Sequence, residues 1–101
     1  MELCEPLYLS ATIKNPRKLL KKLQKSSLPC HFFVLTLSGG MDQLEIYPAY
    51  CLQQPFYRNH FPVIVGLAGD YEEAVALLIQ IVEDSLIYTG TCNLKAYLQS
   101  R

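Results

Sequence analysis

The feature that most constrains the fold is a long amphipathic segment, residues 71–89. It follows Asp70, and Glu73 comes three positions later, which is the sequence pattern of a helix N-terminal capping box. Gly90, directly after the segment, is typical of the residue that ends a helix. On a helical wheel the apolar side spans about 200°, whereas a helix lying on one sheet face needs only about half of that. We therefore predict a helix whose apolar surface contacts more than the sheet alone.

Two further helices and four strands are predicted from local patterns. Asn15 followed by Pro16 predicts a helix that begins there and runs over 16–26. Asn93 is a candidate N-cap for a short C-terminal helix over 94–99. Alternating or continuously apolar runs predict strands at residues 7–13, 31–37, 44–50 and 62–68.

The element order is therefore β-α-β-β-β-α, with a short C-terminal helix after it. We predict one α+β domain over residues 1–101, with a four-stranded mixed sheet in which 31–37 and 44–50 form a hairpin. A right-handed crossover between the first two strands places both main helices on one face of the sheet. The other face then needs a cover, which a second copy of the chain could supply.

Composition excludes several classes of protein. Half of the 101 residues are hydrophobic, 18% are charged and the formal net charge is zero, which is typical of a soluble globular chain. No global charge favours nucleic acid or an anionic membrane, and no apolar run reaches the roughly 18 residues of a membrane span. The N-terminus has acidic residues where a secretion signal has basic ones. We expect a cytoplasmic protein that binds neither membrane nor nucleic acid.

The cysteines and histidines do not form a recognisable catalytic or metal-binding pattern. The four cysteines are expected to be free thiols in a reducing compartment, and Cys30 and His31 project to opposite sides of a strand. A zinc site or thiol enzyme built on Cys51 and His60, with Cys30 as a further zinc ligand, stays open as a third hypothesis. The pattern favours a protein that is not an enzyme, with no catalytic residue, cofactor or metal.

Residues 47–62, YPAYCLQQPFYRNHFP, form an aromatic segment that is a candidate binding surface. Tyrosine and arginine are enriched where proteins bind one another. The same side chains could instead seal the end of the sheet, and this alternative stays open. The candidate binding residues are Tyr47, Tyr50, Phe56, Tyr57, Arg58 and His60.

A second candidate site is basic. Four lysines share one side of the helix over 16–26, namely Lys18, Lys21, Lys22 and Lys25. The stretch LSGGMDQ at 37–43 resembles the SGG-x-D-S loop of ATP pyrophosphatase-type enzymes and the LSGGQ signature of ABC transporter ATPases. That resemblance implies phosphate binding by glycine backbone groups, whereas a glycine-rich hairpin turn explains the same residues. An accessory domain that binds a nucleotide or another anion is the resulting alternative function.

The segment VIVGLAGDYEEAVALLIQIVEDSLIYTG, with NLKAYL after it, resembles the C-terminal half of short bacterial proteins of unknown function. The resemblance covers about a third of the chain and implies a small cytosolic bacterial domain with no assigned activity. Our leading hypothesis is a small interaction or regulatory module that forms a homodimer or binds a protein partner. It would present the wide apolar helix face or the aromatic segment.

Overall fold

The computed structural model describes residues 3–24, 31–37, 44–54, 62–90 and 94–100. The predicted α+β class and element order are confirmed. The helices are α1 (Pro16–Gln24), α2 (Tyr71–Thr89) and α3 (Leu94–Ser100), and a 3₁₀ helix spans Ala49–Gln53. The strands are β1 (Leu3–Leu9), β2 (Phe33–Leu37), β3 (Leu44–Pro48) and β4 (Val63–Ala68).

The four strands form one mixed sheet in the order β1-β4-β2-β3. β1 and β4 are parallel neighbours, and β2 is antiparallel to both β4 and β3. The two most apolar runs, β2 and β4, are therefore central, and Val34, Leu35 and Ile64 are fully buried. β3 and β4 point the same way on either side of β2, so the connection between them, which starts with the 3₁₀ helix, crosses the sheet.

The two main helices lie on opposite faces of the sheet, so the prediction that they share one face is wrong. On one face, Leu20 and Leu23 of α1 pack with Val34, Ile64 and Leu67. The other face is covered by α2 and α3, and its buried side chains include Leu35, Val65, Ala68, Ala74, Leu77 and Ile81. Since β2 and β4 are apolar on both sides, each face needs its own helix. A second copy is not required to cover the α1 face.

The first strand ends earlier than predicted. β1 stops at Leu9, and the chain turns where the strand was expected to continue to residue 13. In that turn the backbone N–H of Ile13 donates to the carbonyl oxygen of Ser10 at 3.0 Å. The Ser10 hydroxyl accepts a hydrogen bond from the N–H of Gly69 at 3.1 Å. Short hydroxyl side chains compete with strand pairing by making such local bonds, which explains the early end.

The predicted caps at Asn15, Asp70 and Gly90 are confirmed, and Asn93, the candidate cap of α3, lies outside the described residues. The Asn15 side-chain oxygen accepts a hydrogen bond from the N–H of Lys18 at 3.2 Å. Asp70 accepts one from the N–H of Glu73 at 2.8 Å. Gly90 has φ 70°, the left-handed conformation that glycine adopts without a steric cost, and its N–H donates to the carbonyl oxygen of Leu86.

A group of hydroxyls holds α3 against β1 and α2. The Tyr8 hydroxyl donates to Oδ2 of Asp84 at 2.7 Å and lies 2.8 Å from the Tyr97 hydroxyl. Burial, together with the hydrogen bonds to Tyr97 and Asp84, raises the pKa of Tyr8 well above its usual value, so this hydroxyl stays protonated. Nearby, the Cys4 thiol lies 3.3 Å from the carbonyl oxygen of Leu98.

No helix in the described ranges combines the length and the hydropathy needed to cross a membrane.

Candidate functional site

The aromatic segment is described only in its first half, and two of its candidate residues differ in exposure. Tyr47 is half-buried against the α1 face of the core, and its hydroxyl donates to Oε2 of Glu45 at 2.5 Å. Tyr50 is 60% exposed on the 3₁₀ helix, whose Ala49 and Leu52 are buried. The other candidates, Phe56, Tyr57, Arg58 and His60, lie outside the described residues. The described half of the segment therefore covers part of the sheet face and leaves one tyrosine on the surface.

The lysines of α1 also fall in different environments. Lys18 and Lys21 are exposed, whereas Lys22 is half-buried and contributes to the cleft described below. Lys25 and the SGG loop lie outside the described residues. The structure thus keeps two of these cations together on the solvent side of α1.

Neither Cys4 nor Cys51 forms a disulfide bond. The other residues of the hypothetical zinc site, Cys30 and His60, lie outside the described residues. Among the side chains that are described, no three His, Cys, Asp or Glu residues come together as a metal site.

The first surface with the character of a site is on α2. Ile79 and Leu86 are 50% and 44% exposed, and Val75 and Val82, in the same row, are half-buried. These four residues, spaced four, three and four positions apart, form what we call the apolar stripe. α3 packs on the Asp84 side of α2, where Asp84 and Tyr97 both contact Tyr8, so it leaves the stripe uncovered. The excess apolar width seen in the sequence is therefore covered only in part.

The charged residues that α2 itself places beside the apolar stripe are acidic. Glu72 and Glu83 are exposed on the side of α2 next to the stripe. α2 contains no lysine or arginine. Because α1 lies on the opposite face of the sheet, its lysines do not neutralise these carboxylates within one chain.

The second surface is a cleft at the carboxyl ends of β1 and β4. These strands are parallel neighbours, and the chain leaves β1 towards α1 on one face and β4 towards α2 on the other. Adjacent parallel strands whose connections diverge in this way open a crevice, the usual ligand position in open α/β sheets. The cleft has a volume of about 370 Å³ and is lined by Thr12, Ile13, Leu19, Lys22, His31, Phe32, Gly69, Asp70 and Glu73.

Hydroxyl groups fix a carboxylate in this cleft. The Thr12 hydroxyl donates to Oε1 of Glu73 at 2.7 Å and lies 3.3 Å from the Ser10 hydroxyl. Hydrogen bonds from Ser10 and Thr12, with a further one from the Gly69 backbone, lower the pKa of Glu73 below its usual value. Glu73 is therefore an oriented, ionised group at the positive end of α2.

Gly69 permits this close arrangement. A Cβ atom at this position would lie 2.1 Å from Oγ1 of Thr12 and 3.3 Å from Oε1 of Glu73. Any other residue would push the Thr12 hydroxyl out of its place. The two glycines of Gly66-Leu-Ala-Gly69 thus allow close packing, since a Cβ at Gly66 would lie 2.9 Å from the carbonyl oxygen of Tyr8.

Sequence reasoning missed the cleft because its residues come from four separate segments. The sequence pattern around Asp70 and Glu73 indicates only a capping box at the start of α2. The sequence features that could have indicated the cleft are the hydroxyls of Ser10 and Thr12 after β1 and the carboxylates of Asp70 and Glu73 after β4. The sequence does not show, however, that β1 and β4 are neighbours.

Comparison with known proteins finds no matching family model and no significant similarity to a curated protein or a solved structure.

Proposed function

We propose that this protein is a small interaction module that self-associates through the apolar stripe of α2. The observation that carries the proposal is the exposure of Ile79 and Leu86 in one row with Val75 and Val82. Single exposed apolar residues are normal on protein surfaces, whereas accessible apolar side chains that adjoin one another in a row are typical of an interface.

The spacing of the stripe supports a helical partner. Apolar residues that alternate between steps of three and four form the seam along which two helices pack. α2 has 19 residues and is therefore about 28 Å long, enough for several turns of contact. A second copy presents the same row, so a two-fold arrangement would place the two stripes against each other.

The charge pattern makes this proposal distinguishable from simple ionic association. Glu72 and Glu83 would approach their counterparts in a pair of α2 helices, and α2 has no cation to compensate them. Like-charge repulsion is screened by salt, and burial of apolar surface is not weakened by it. Self-association should therefore strengthen as the salt concentration rises.

A nucleotide- or anion-binding accessory domain is the second candidate function. It is favoured by the exposure of Lys18 and Lys21 on a helix that contains no acidic residue. Binding of this kind weakens with added salt, because the lysines release counterions or compete with them. Exchanging Lys18, Lys21 and Lys22 for glutamate would abolish it, whereas the same exchanges would leave an interface on α2 intact.

Two matched variants test the leading proposal. Ile79→Glu puts a charge into the stripe, and Ile87→Glu makes the same exchange one residue after Leu86, at a position that is 77% exposed and off the stripe. Both positions are on the surface, so both variants should keep the helical circular dichroism of the unmodified chain. In sedimentation velocity we expect Ile79→Glu to be monomeric and Ile87→Glu to associate normally. Equal association of both variants would contradict the proposal.

A further inference from the structure

The cleft at the carboxyl ends of β1 and β4 has the features of a ligand site that is separate from the apolar stripe. We propose that it binds a small zwitterion of amino-acid size that carries an ammonium group, a carboxylate group and an apolar side chain. The proposal stands on three observations, which are the position of the cleft in the fold, its lining and the placement of its charges.

The position is set by strand topology. β1 and β4 are parallel neighbours with helices on opposite faces, so the crevice exists before any ligand binds. Its volume of about 370 Å³ is within the usual range for sites that hold small molecules.

The lining combines an apolar surface with a few polar groups. Phe32 is buried, Ile13 and Leu19 are half-buried, and all three line the cleft. Sites for small molecules commonly have this composition, in which apolar side chains provide the contact area and a few polar groups fix the orientation.

The charged residues that line the cleft come from helices on opposite faces of the sheet. Lys22 belongs to α1 and His31 precedes β2, whereas Asp70 and Glu73 belong to the start of α2. The carboxylates would attract an ammonium group and repel a simple anion such as phosphate. Lys22 would attract a carboxylate and repel a simple amine. A ligand with both charges matches both sides, and the apolar lining suits a side chain such as that of leucine or phenylalanine.

The carboxylate side is organised in advance. Asp70 is fixed by its bond to the N–H of Glu73, and Glu73 by the hydroxyl of Thr12. Groups that are already oriented lose little freedom when a ligand binds, which favours affinity.

Four compounds test the charge requirement. We would titrate the protein with L-leucine, L-phenylalanine, phenethylamine and 3-phenylpropionate, following backbone amide NMR signals. The amine lacks the carboxylate of phenylalanine, and 3-phenylpropionate lacks its ammonium group. We expect at least one amino acid to shift signals of residues around the cleft, and to bind about tenfold or more tightly than the amine and the acid.

Four variants test the location. Asp70→Asn removes a charge and keeps a good N-cap residue, and Lys22→Gln removes the cation on the other side. Each should weaken amino-acid binding about tenfold or more. The matched controls are Glu72→Gln and Lys18→Gln, which lie on the same helices outside the cleft and should bind as the unmodified chain does.

The proposal is overturned if neither amino acid shifts any signal, if the amine or the acid binds as tightly as phenylalanine, or if the controls lose as much affinity as the cleft variants. The result is independent of self-association, because the Ile79→Glu monomer is expected to bind the amino acid with unchanged affinity.

Discussion

At the scale of single residues, the structure depends on a compact group of polar contacts between the end of β1 and the start of α2. Hydrogen bonds link Ser10, Thr12, Gly69 and Glu73 to one another. They come this close because Gly69 has no side chain that would push the Thr12 hydroxyl away. These contacts fix the two connections that diverge from the sheet, so they maintain the cleft as well as the fold.

Gly69→Ala should destabilise the protein by roughly 1–3 kcal/mol, because the new Cβ overlaps the Thr12 hydroxyl. Thr12→Ala alone should cost about 1 kcal/mol through its lost hydrogen bonds. In the double variant the overlap with the hydroxyl is gone, so the free energy of unfolding should fall by less than the sum of the two single effects. Urea denaturation of the four proteins checks this, and strict additivity would argue against the close contact.

The pH dependence of stability should report the hydrogen bonds to Glu73. Its folded-state pKa is lowered, so its contribution is present above the usual glutamate value of 4.5 and is lost as the pH falls through the folded pKa. The glutamine side chain of the Glu73→Gln variant cannot ionise, so this variant lacks the pH-dependent contribution to stability. The difference in unfolding free energy between the unmodified chain and Glu73→Gln should be largest near neutral pH and shrink on acidification. A difference that does not change with pH would contradict this assignment.

At the scale of elements, sequence patterns were most informative where a residue has a specific local role. Asp70 and Gly90 predicted both ends of α2, and Asn15 with Pro16 predicted the start of α1, because capping depends on neighbouring residues. The predicted end of β1 was wrong because the Ser10 hydroxyl accepts a hydrogen bond from Gly69, which is 59 positions away. The predicted placement of α1 and α2 on one face was wrong because it depends on which strands are neighbours in the sheet.

The Tyr8 hydroxyl links α3 to β1 and α2, a contact that local sequence also does not reveal. Tyr8→Phe removes a donor to Asp84 and a partner of Tyr97, and should cost about 1–3 kcal/mol in unfolding free energy. Tyr88→Phe is the matched control, since Tyr88 is 77% exposed and stacks on Tyr97 through its ring. Urea denaturation should show a clear loss for the first variant and little change for the second. Equal losses would argue against this role of the Tyr8 hydroxyl.

At the scale of the whole molecule, the two surfaces proposed as sites lie in different places and differ in chemistry. The cleft opens at the carboxyl ends of β1 and β4, and the apolar stripe runs along α2 between its buried and its solvent-exposed sides. The sequence predicted the stripe in outline, as an apolar arc too wide for one sheet face. It did not predict the cleft, which exists only because two distant strands pair in parallel.

Sedimentation equilibrium of the unmodified chain, over a range of protein concentrations at low and at high salt, is the most direct test of self-association through the apolar stripe. We expect reversible association from 11.5 kDa towards twice that mass, with more dimer at high salt. A monomer at every concentration would contradict it. Association that disappears as salt is added would also contradict it, and would indicate that charges rather than the apolar stripe hold the copies together.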